Sequence, residues 1–165
     1  MAKFLFVCLG NICRSPAAQA VMEQLLAQQN LTGHVCDSAG TSSFHEGQMA
    51  DERMRQAALR RGITITHRSR PITKQDLQIF DYIFVMDQSN AANVLRLAHT
   101  SQEKAKIKLM AAYCRQHHAT SIPDPYYGGP QGFDLVLDLL TDAATEIIRQ
   151  LQTATLGTSD DLSRP

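Results

Sequence analysis

Apolar positions along this chain switch between a strand period and a helix period, and the switches mark its elements. Residues 3–8 are a near-continuous apolar run around Phe4-Leu5-Phe6-Val7, the pattern of a strand buried on both faces. From residue 17 to 28 the period becomes helical, with Val21, Leu25 and Gln28 on one stripe and Met22 and Leu26 beside it. Ser15 suits the N-cap of that helix and Pro16 its first position. Gly33 breaks the chain before a second strand over 34–39, and a polar loop with Phe44 at its middle follows over 40–48. Asp51 opens a second helix that runs through Arg61, with Gly62 stopping it. Thr73 caps a short helix ending near Phe80, and residues 82–86 (Tyr-Ile-Phe-Val-Met) carry the strongest β signal in the chain. Residues 88–99 read as helix, 106–110 as a weaker fourth strand, and 121–132 as a turn-rich loop. A last helix presents Val136, Leu140, Ile147 and Leu151 on one stripe. Such alternation points to an α/β sandwich with a parallel sheet. One domain is expected over residues 1–153, and the polar, aperiodic residues 154–165 are expected to be a disordered tail.

Composition narrows the setting. The 165 residues include 16 basic and 16 acidic side chains, so nothing favours nucleic acid or an anionic membrane as a bulk partner. The first residues run straight into a strand, so neither a signal peptide nor a membrane span is expected. Four cysteines without a C-x-x-C pair argue against a disulfide scaffold or structural zinc and for a reducing cytoplasm. His117 and His118 lack further ligands at useful spacing, so no metal is expected.

The chemistry concentrates in Cys8-Leu9-Gly10-Asn11-Ile12-Cys13-Arg14-Ser15-Pro16, set between the first strand and the first helix. A cysteine, five residues, an arginine and a hydroxyl form a small loop that wraps a tetrahedral oxyanion with backbone N–H groups, backed by a helix N-terminus. The same positive field stabilises an anionic sulfur nucleophile, so this pattern reads as phosphate-ester chemistry through a cysteinyl phosphate. Gly10 allows a close approach of backbone to phosphate, and Asn11 tolerates a left-handed conformation. Arg14 offers a planar fork for two equatorial oxygens. Cys13 is either an inert small residue or a redox partner that bridges to Cys8 under peroxide. The second reading is preferred.

With the segments Asp37-Ser38-Ala39-Gly40-Thr41 and Asp124-Pro125-Tyr126-Tyr127, the loop closely resembles the low-molecular-weight protein tyrosine phosphatases, from about Lys3 to about Leu151. The resemblance implies a three-layer sandwich around a four-stranded parallel sheet and a two-step, cofactor-free, metal-free reaction. It assigns Cys8 as nucleophile, Arg14 as phosphate clamp and Asp124 as general acid and base. Ser15 would hydrogen-bond the thiolate, while Asn11, Ser38 and His67 would form a trio supporting the loop. Leu9, Gly10, Asn11, Ile12 and Cys13 would surround the phosphate, with Phe44, Tyr126 and Tyr127 lining the mouth.

The expected substrates are phosphotyrosine in proteins and small aryl phosphates, with inorganic phosphate or other oxyanions as ligands, acted on by a monomer or weak homodimer. Three rivals are weaker. A thiol-coupled arsenate reductase needs further cysteines, and residues 86–92 contain none. Phosphoarginine phosphatases look to carry threonine where Ile12 stands. A phosphopeptide-binding module would lack the nucleophile, arginine or acid, and all three are present.

Overall fold

Strand β1 (Lys3–Cys8) divides its side chains between two cores, as expected for a strand covered on both faces. In a computed structural model that describes residues 1–157, Phe4, Phe6 and Cys8 face one core and Leu5 and Val7 the other. Around it, β2 (Val35–Gly40), β3 (Tyr82–Val85) and β4 (Ile107–Leu109) complete a sheet ordered β2-β1-β3-β4. All three pairings are parallel, with Phe6 opposite Ser38 on one side and Phe84 on the other.

Helices α1 (Arg14–Gln28), α2 (Glu52–Leu59) and α6 (Gln131–Gln152) pack over the Phe4–Phe6 face. Phe84 lies on that face too, and the ring of Tyr113 meets it edge-on at 5.5 Å. Leu77 from α3 (Asp76–Ile79) and Ala91 and Val94 from α4 (Gln88–Leu95) cover the opposite face. Helix α5 (Ser101–Ala105) leads into β4, and a 3₁₀ turn (Met110–Tyr113) leads out. The result is the expected three-layer α/β sandwich with a four-stranded parallel sheet. Among the described residues no helix is long and apolar enough to cross a membrane.

Several boundaries differ from the sequence reading, each for a local reason. Helix α1 begins at Arg14 rather than Pro16, so Ser15 lies inside the first turn and does not cap it. Its buried face is Ala17, Ala18, Val21, Met22 and Leu26, while Gln28 is exposed. Thr73 does not cap α3. Instead Asp76 accepts the Thr73 N–H at 2.8 Å while binding Arg70. The helix expected over 88–99 ends at Leu95, and Thr100 starts α5 by accepting the Glu103 N–H at 3.0 Å. Of the expected tail, Thr155 donates its N–H to the Gln150 carbonyl at 2.9 Å and Leu156 is buried in the core. A single apolar residue has no period to reveal it. Residues 158–165 lie outside the described residues.

In this strand order the chain leaves β1 toward one side of the sheet and later returns to β3 on its other side. The crevice beyond their carboxyl ends is where ligands bind in such sheets. Cys8 ends β1 at that crevice, and Asp87 follows β3.

The loop that leads from β4 back toward the crevice is tied down by one carboxylate of α6. Asp142, 6% exposed, accepts the N–H groups of Arg115, Gln116 and His117 and faces His117 Nδ1 at 2.9 Å. Burial alone would raise its pKa, but these donors hold it down at about 2. A depressed carboxylate stabilises the fold above its unfolded pKa near 4 and loses that contribution as pH falls toward 2. Urea titrations should therefore show stability declining between about pH 4 and pH 2. Asp142→Asn should cost ~1–2 kcal/mol at neutral pH and flatten that decline.

Candidate active site

The loop between β1 and α1 is held by its carbonyl oxygens. Cys8 O accepts from Thr41 N–H at 2.9 Å, Leu9 O from Ser42 N–H at 2.9 Å and Ile12 O from Asp51 N–H at 2.7 Å. Gly10 O accepts from Ser69 Oγ at 2.9 Å, and Cys13 O from Ala17 N–H at 3.3 Å. In a trans peptide the C=O and the following N–H point opposite ways. Five carbonyls turned toward the protein therefore turn the N–H groups of Leu9, Gly10, Asn11, Cys13 and Arg14 toward the bowl, as an anion nest requires. Asn11, at φ 56°, supplies the left-handed residue that lets the chain curl this way. Gly40 makes room outside it: a Cβ there would lie 2.8 Å from Leu9 O, 3.0 Å from Ser42 O and 3.2 Å from Asn11 Cβ.

A relay of hydrogen bonds runs under the loop to Cys8. Asn11 Oδ1 accepts the backbone N–H of Arg70 at 3.0 Å, which settles which end of the amide is oxygen. His67 Nε2, 2.8 Å from the same oxygen, must therefore carry a proton. Burial lowers the pKa of His67 and Asp37 opposes that shift. Asn11 Nδ2 donates to Ser15 Oγ at 2.7 Å, and that hydroxyl lies 3.0 Å from Cys8 Sγ and 3.4 Å from the Ala39 carbonyl, so its proton can serve either. Ser38, expected in this trio, is not part of it through its hydroxyl. Ser38 Oγ donates instead to Gln19 Oε1 at 2.7 Å, because α1 brings that amide over β2.

Arg14 is 3% exposed and reaches across the bowl. Its Nη1 donates to Asp87 Oδ2 at 2.7 Å and to the Ile122 carbonyl at 3.0 Å, and its Nη2 lies 3.5 Å from Asp124 Oδ2. Asp124 also accepts the Tyr126 N–H at 3.1 Å in an Asx turn. Asp87 went unseen in the sequence. Its only signal was local, an Asp before Gln-Ser-Asn just after β3, and it does cap α4 by accepting Asn90 N–H at 2.8 Å.

These groups border a cavity of about 360 Å³ lined by Cys8, Leu9, Gly10, Ile12, Cys13, Arg14, Phe44, Asp124, Tyr126 and Tyr127, joined by Ser42 and His45. Asn11 is missing from that lining: it is buried beneath the loop and supports it. Phe44 and Tyr127 stand 82% and 93% exposed at the lip, and the Tyr127 ring meets Tyr126 edge-on at 4.9 Å. Burial pushes the Cys13 thiol well above its ordinary pKa, Cys36 up to about 12 and Cys114 up to about 11. Among the described residues no three His, Cys, Asp or Glu side chains converge as a metal site requires. The site can thus hold a tetrahedral oxyanion against a sulfur atom, with a guanidinium and a carboxylate on the open side.

Comparison with known proteins agrees. The family model described as low molecular weight phosphotyrosine protein phosphatase matches residues 3–156. The human low molecular weight phosphotyrosine protein phosphatase is 44% identical over 134 residues, covering 80% of this chain and 84% of its own. A protein tyrosine phosphatase from Entamoeba histolytica, solved with Hepes in its active site, superposes with a TM-score of 0.92 at 48% identity. That match covers 94% of this chain and 100% of the other. A Drosophila arginine phosphatase superposes with a TM-score of 0.86 at 33% identity, over 92% of this chain and 98% of its own. This chain therefore belongs to the low-molecular-weight phosphotyrosine protein phosphatase family.

Proposed function

We propose that this protein hydrolyses phosphotyrosine in proteins, and small aryl phosphates, through a phosphocysteine on Cys8. The observation that carries the reading is the Ser15 hydroxyl, held 3.0 Å from Cys8 Sγ by the Asn11–His67 relay at the floor of an N–H-lined bowl. In the first step Cys8 sulfur attacks phosphorus, and the S–P bond forms as the P–O bond to the aryl group breaks. Asp124 gives its proton to the departing aryloxide. Arg14 and the loop N–H groups hold the equatorial oxygens as phosphorus becomes trigonal bipyramidal. In the second step Asp124 takes a proton from water, which attacks phosphorus and releases inorganic phosphate and the Cys8 thiolate. The Ser15 hydrogen bond stabilises sulfur as it departs.

An aryl substrate is favoured over phosphoserine because Ile12 and Tyr126 offer apolar walls above the bowl. The likeness to an arginine phosphatase makes phosphoarginine the competing substrate, and Ile12 rather than threonine favours the aryl ester. The same reading has the enzyme work without metal, in the cytoplasm, as a monomer or weak homodimer. Four cysteines that are all free suit a reducing compartment.

Phosphate release from a phosphotyrosine peptide, with chelator and reductant present, tests the assignment. Cys8→Ser should abolish turnover while retaining phosphopeptide binding. Asp124→Asn should lose ~10²-fold or more on phosphotyrosine. Release from a phosphoarginine peptide but not from phosphotyrosine would move the assignment to the competing substrate.

The same reading makes Cys8 redox-sensitive. Peroxide oxidises its sulfur to a sulfenic acid, and Cys13 sulfur then displaces water to form a disulfide. Burial keeps Cys13 protonated, so this closure should be slow at neutral pH and faster as pH rises. Peptide mapping after peroxide should find the Cys8–Cys13 bridge. Recovery of only sulfinic or sulfonic Cys8 would remove this protection from the account.

A further inference from the structure

Arg53, in the first turn of α2, connects the nucleophile loop to the loop that carries Asp124. Its Nε donates to Asp51 Oδ1 at 3.1 Å and its Nη2 to Asp51 Oδ2 at 2.9 Å, a two-pronged clasp on the residue that caps α2. The same Nη2 donates to the Tyr126 carbonyl at 3.0 Å. The guanidinium lies 5.5 Å from the centroid of the Tyr126 ring and 4.8 Å from that of Phe133 at the start of α6. Asp51 in turn donates its backbone N–H to the Ile12 carbonyl, one of the five that shape the bowl. A continuous series therefore runs from Ile12 through Asp51 and Arg53 to Tyr126.

Tyr126 is the residue that orients the acid, since its N–H is bonded to Asp124 Oδ1. Arg53 grips the next peptide plane along. Its grip thus bears on the tilt and height of the Asp124 carboxylate above the bowl. A plain charge–charge role with substrate fits less well. Asp51 already neutralises the guanidinium, and although the side chain is 48% exposed, Nε and Nη2 are both engaged by groups of the protein. Burial would raise the Asp51 carboxyl, but the fork outweighs it and holds the pKa below the usual carboxylate range. Lysine could keep the charge but could not clasp Asp51 in two places, reach a carbonyl and lie flat on two rings.

We propose that Arg53 is a positioning residue for leaving-group protonation, acting through Tyr126 to fix Asp124 relative to the nucleophile loop. This inference rests on the reading of Asp124 as the general acid. It predicts a defect that depends on how much help the leaving group needs.

The experiment compares kcat/KM for phenyl phosphate, a poor leaving group, with that for dinitrophenyl phosphate, which departs without protonation. Wild type, Arg53→Met, Arg53→Lys, Asp124→Asn and the Arg53→Met/Asp124→Asn double variant are measured together. Inhibition by inorganic phosphate reports whether the bowl is intact. The expected result is a loss of about 10-fold or more on phenyl phosphate in both Arg53 variants, with dinitrophenyl phosphate and phosphate inhibition changed by less than about 3-fold. The double variant should be no worse than Asp124→Asn alone, because both changes remove the same step.

An equal loss on both substrates would overturn the proposal and make Arg53 a binding or loop-shaping residue. Wild-type leaving-group dependence in the Arg53 variants, with a steep dependence in Asp124→Asn, would overturn the positioning role alone. Wild-type dependence in Asp124→Asn would overturn the acid assignment and the positioning role with it.

Discussion

The geometry of the planar trans peptide is the constraint on which the site depends. A bowl of N–H groups exists only if the carbonyls on its outer wall are satisfied, since a buried unpaired carbonyl costs about 1–3 kcal/mol. The donors for that wall come from separate places: Thr41 and Ser42 beyond β2, Asp51 at the cap of α2, and Ser69 ahead of α3. Only Ala17 comes from the helix the loop itself opens. The loop is short, but its outer surface is an interior surface of the domain. Its shape is thereby coupled to the packing of the sheet and helices around it.

Arg14 shows how this surrounding structure prepares a side chain for work. One nitrogen is occupied by Asp87 and the Ile122 carbonyl, so the plane of the guanidinium is set by the turn after β3 and by the start of the loop that carries Asp124. Nearly complete burial removes competing water, which strengthens each of these contacts. A fork fixed in this way is ordered during folding, when the entropy of ordering it is lost, and on the proposed reading it would meet a phosphate already in place.

The parts of this architecture that lie close together in sequence were legible there. A strand with no polar break, a turn holding glycine and asparagine, and a helical period starting just after Pro16 told where Cys8 would sit and which way the chain would curl. The residues left unread act across distance. Asp87 looks like an ordinary helix cap, and it is one, but parallel pairing of β1 with β3 also brings it to Arg14. Gln19 carries no signal on a helix whose stripe is set by apolar residues, and it captures the Ser38 hydroxyl only because α1 lies over β2. Arg53 sits among the charges of DERMRQ as one of two arginines, and its place is decided by Tyr126, more than seventy residues away. The early start of α1 belongs with these, because the loop needs Arg14 already in helical geometry to aim its side chain.

Gly40 shows what this coupling means for descent. The last residue of β2 contributes no chemistry, but any side chain there would collide with the backbone of the nucleophile loop at Leu9 and with Asn11. A lineage could replace it only by also reshaping the turn beside Cys8, and a reshaped turn would no longer collect N–H groups around one point. Two stretches far apart in the gene are thus inherited as one unit.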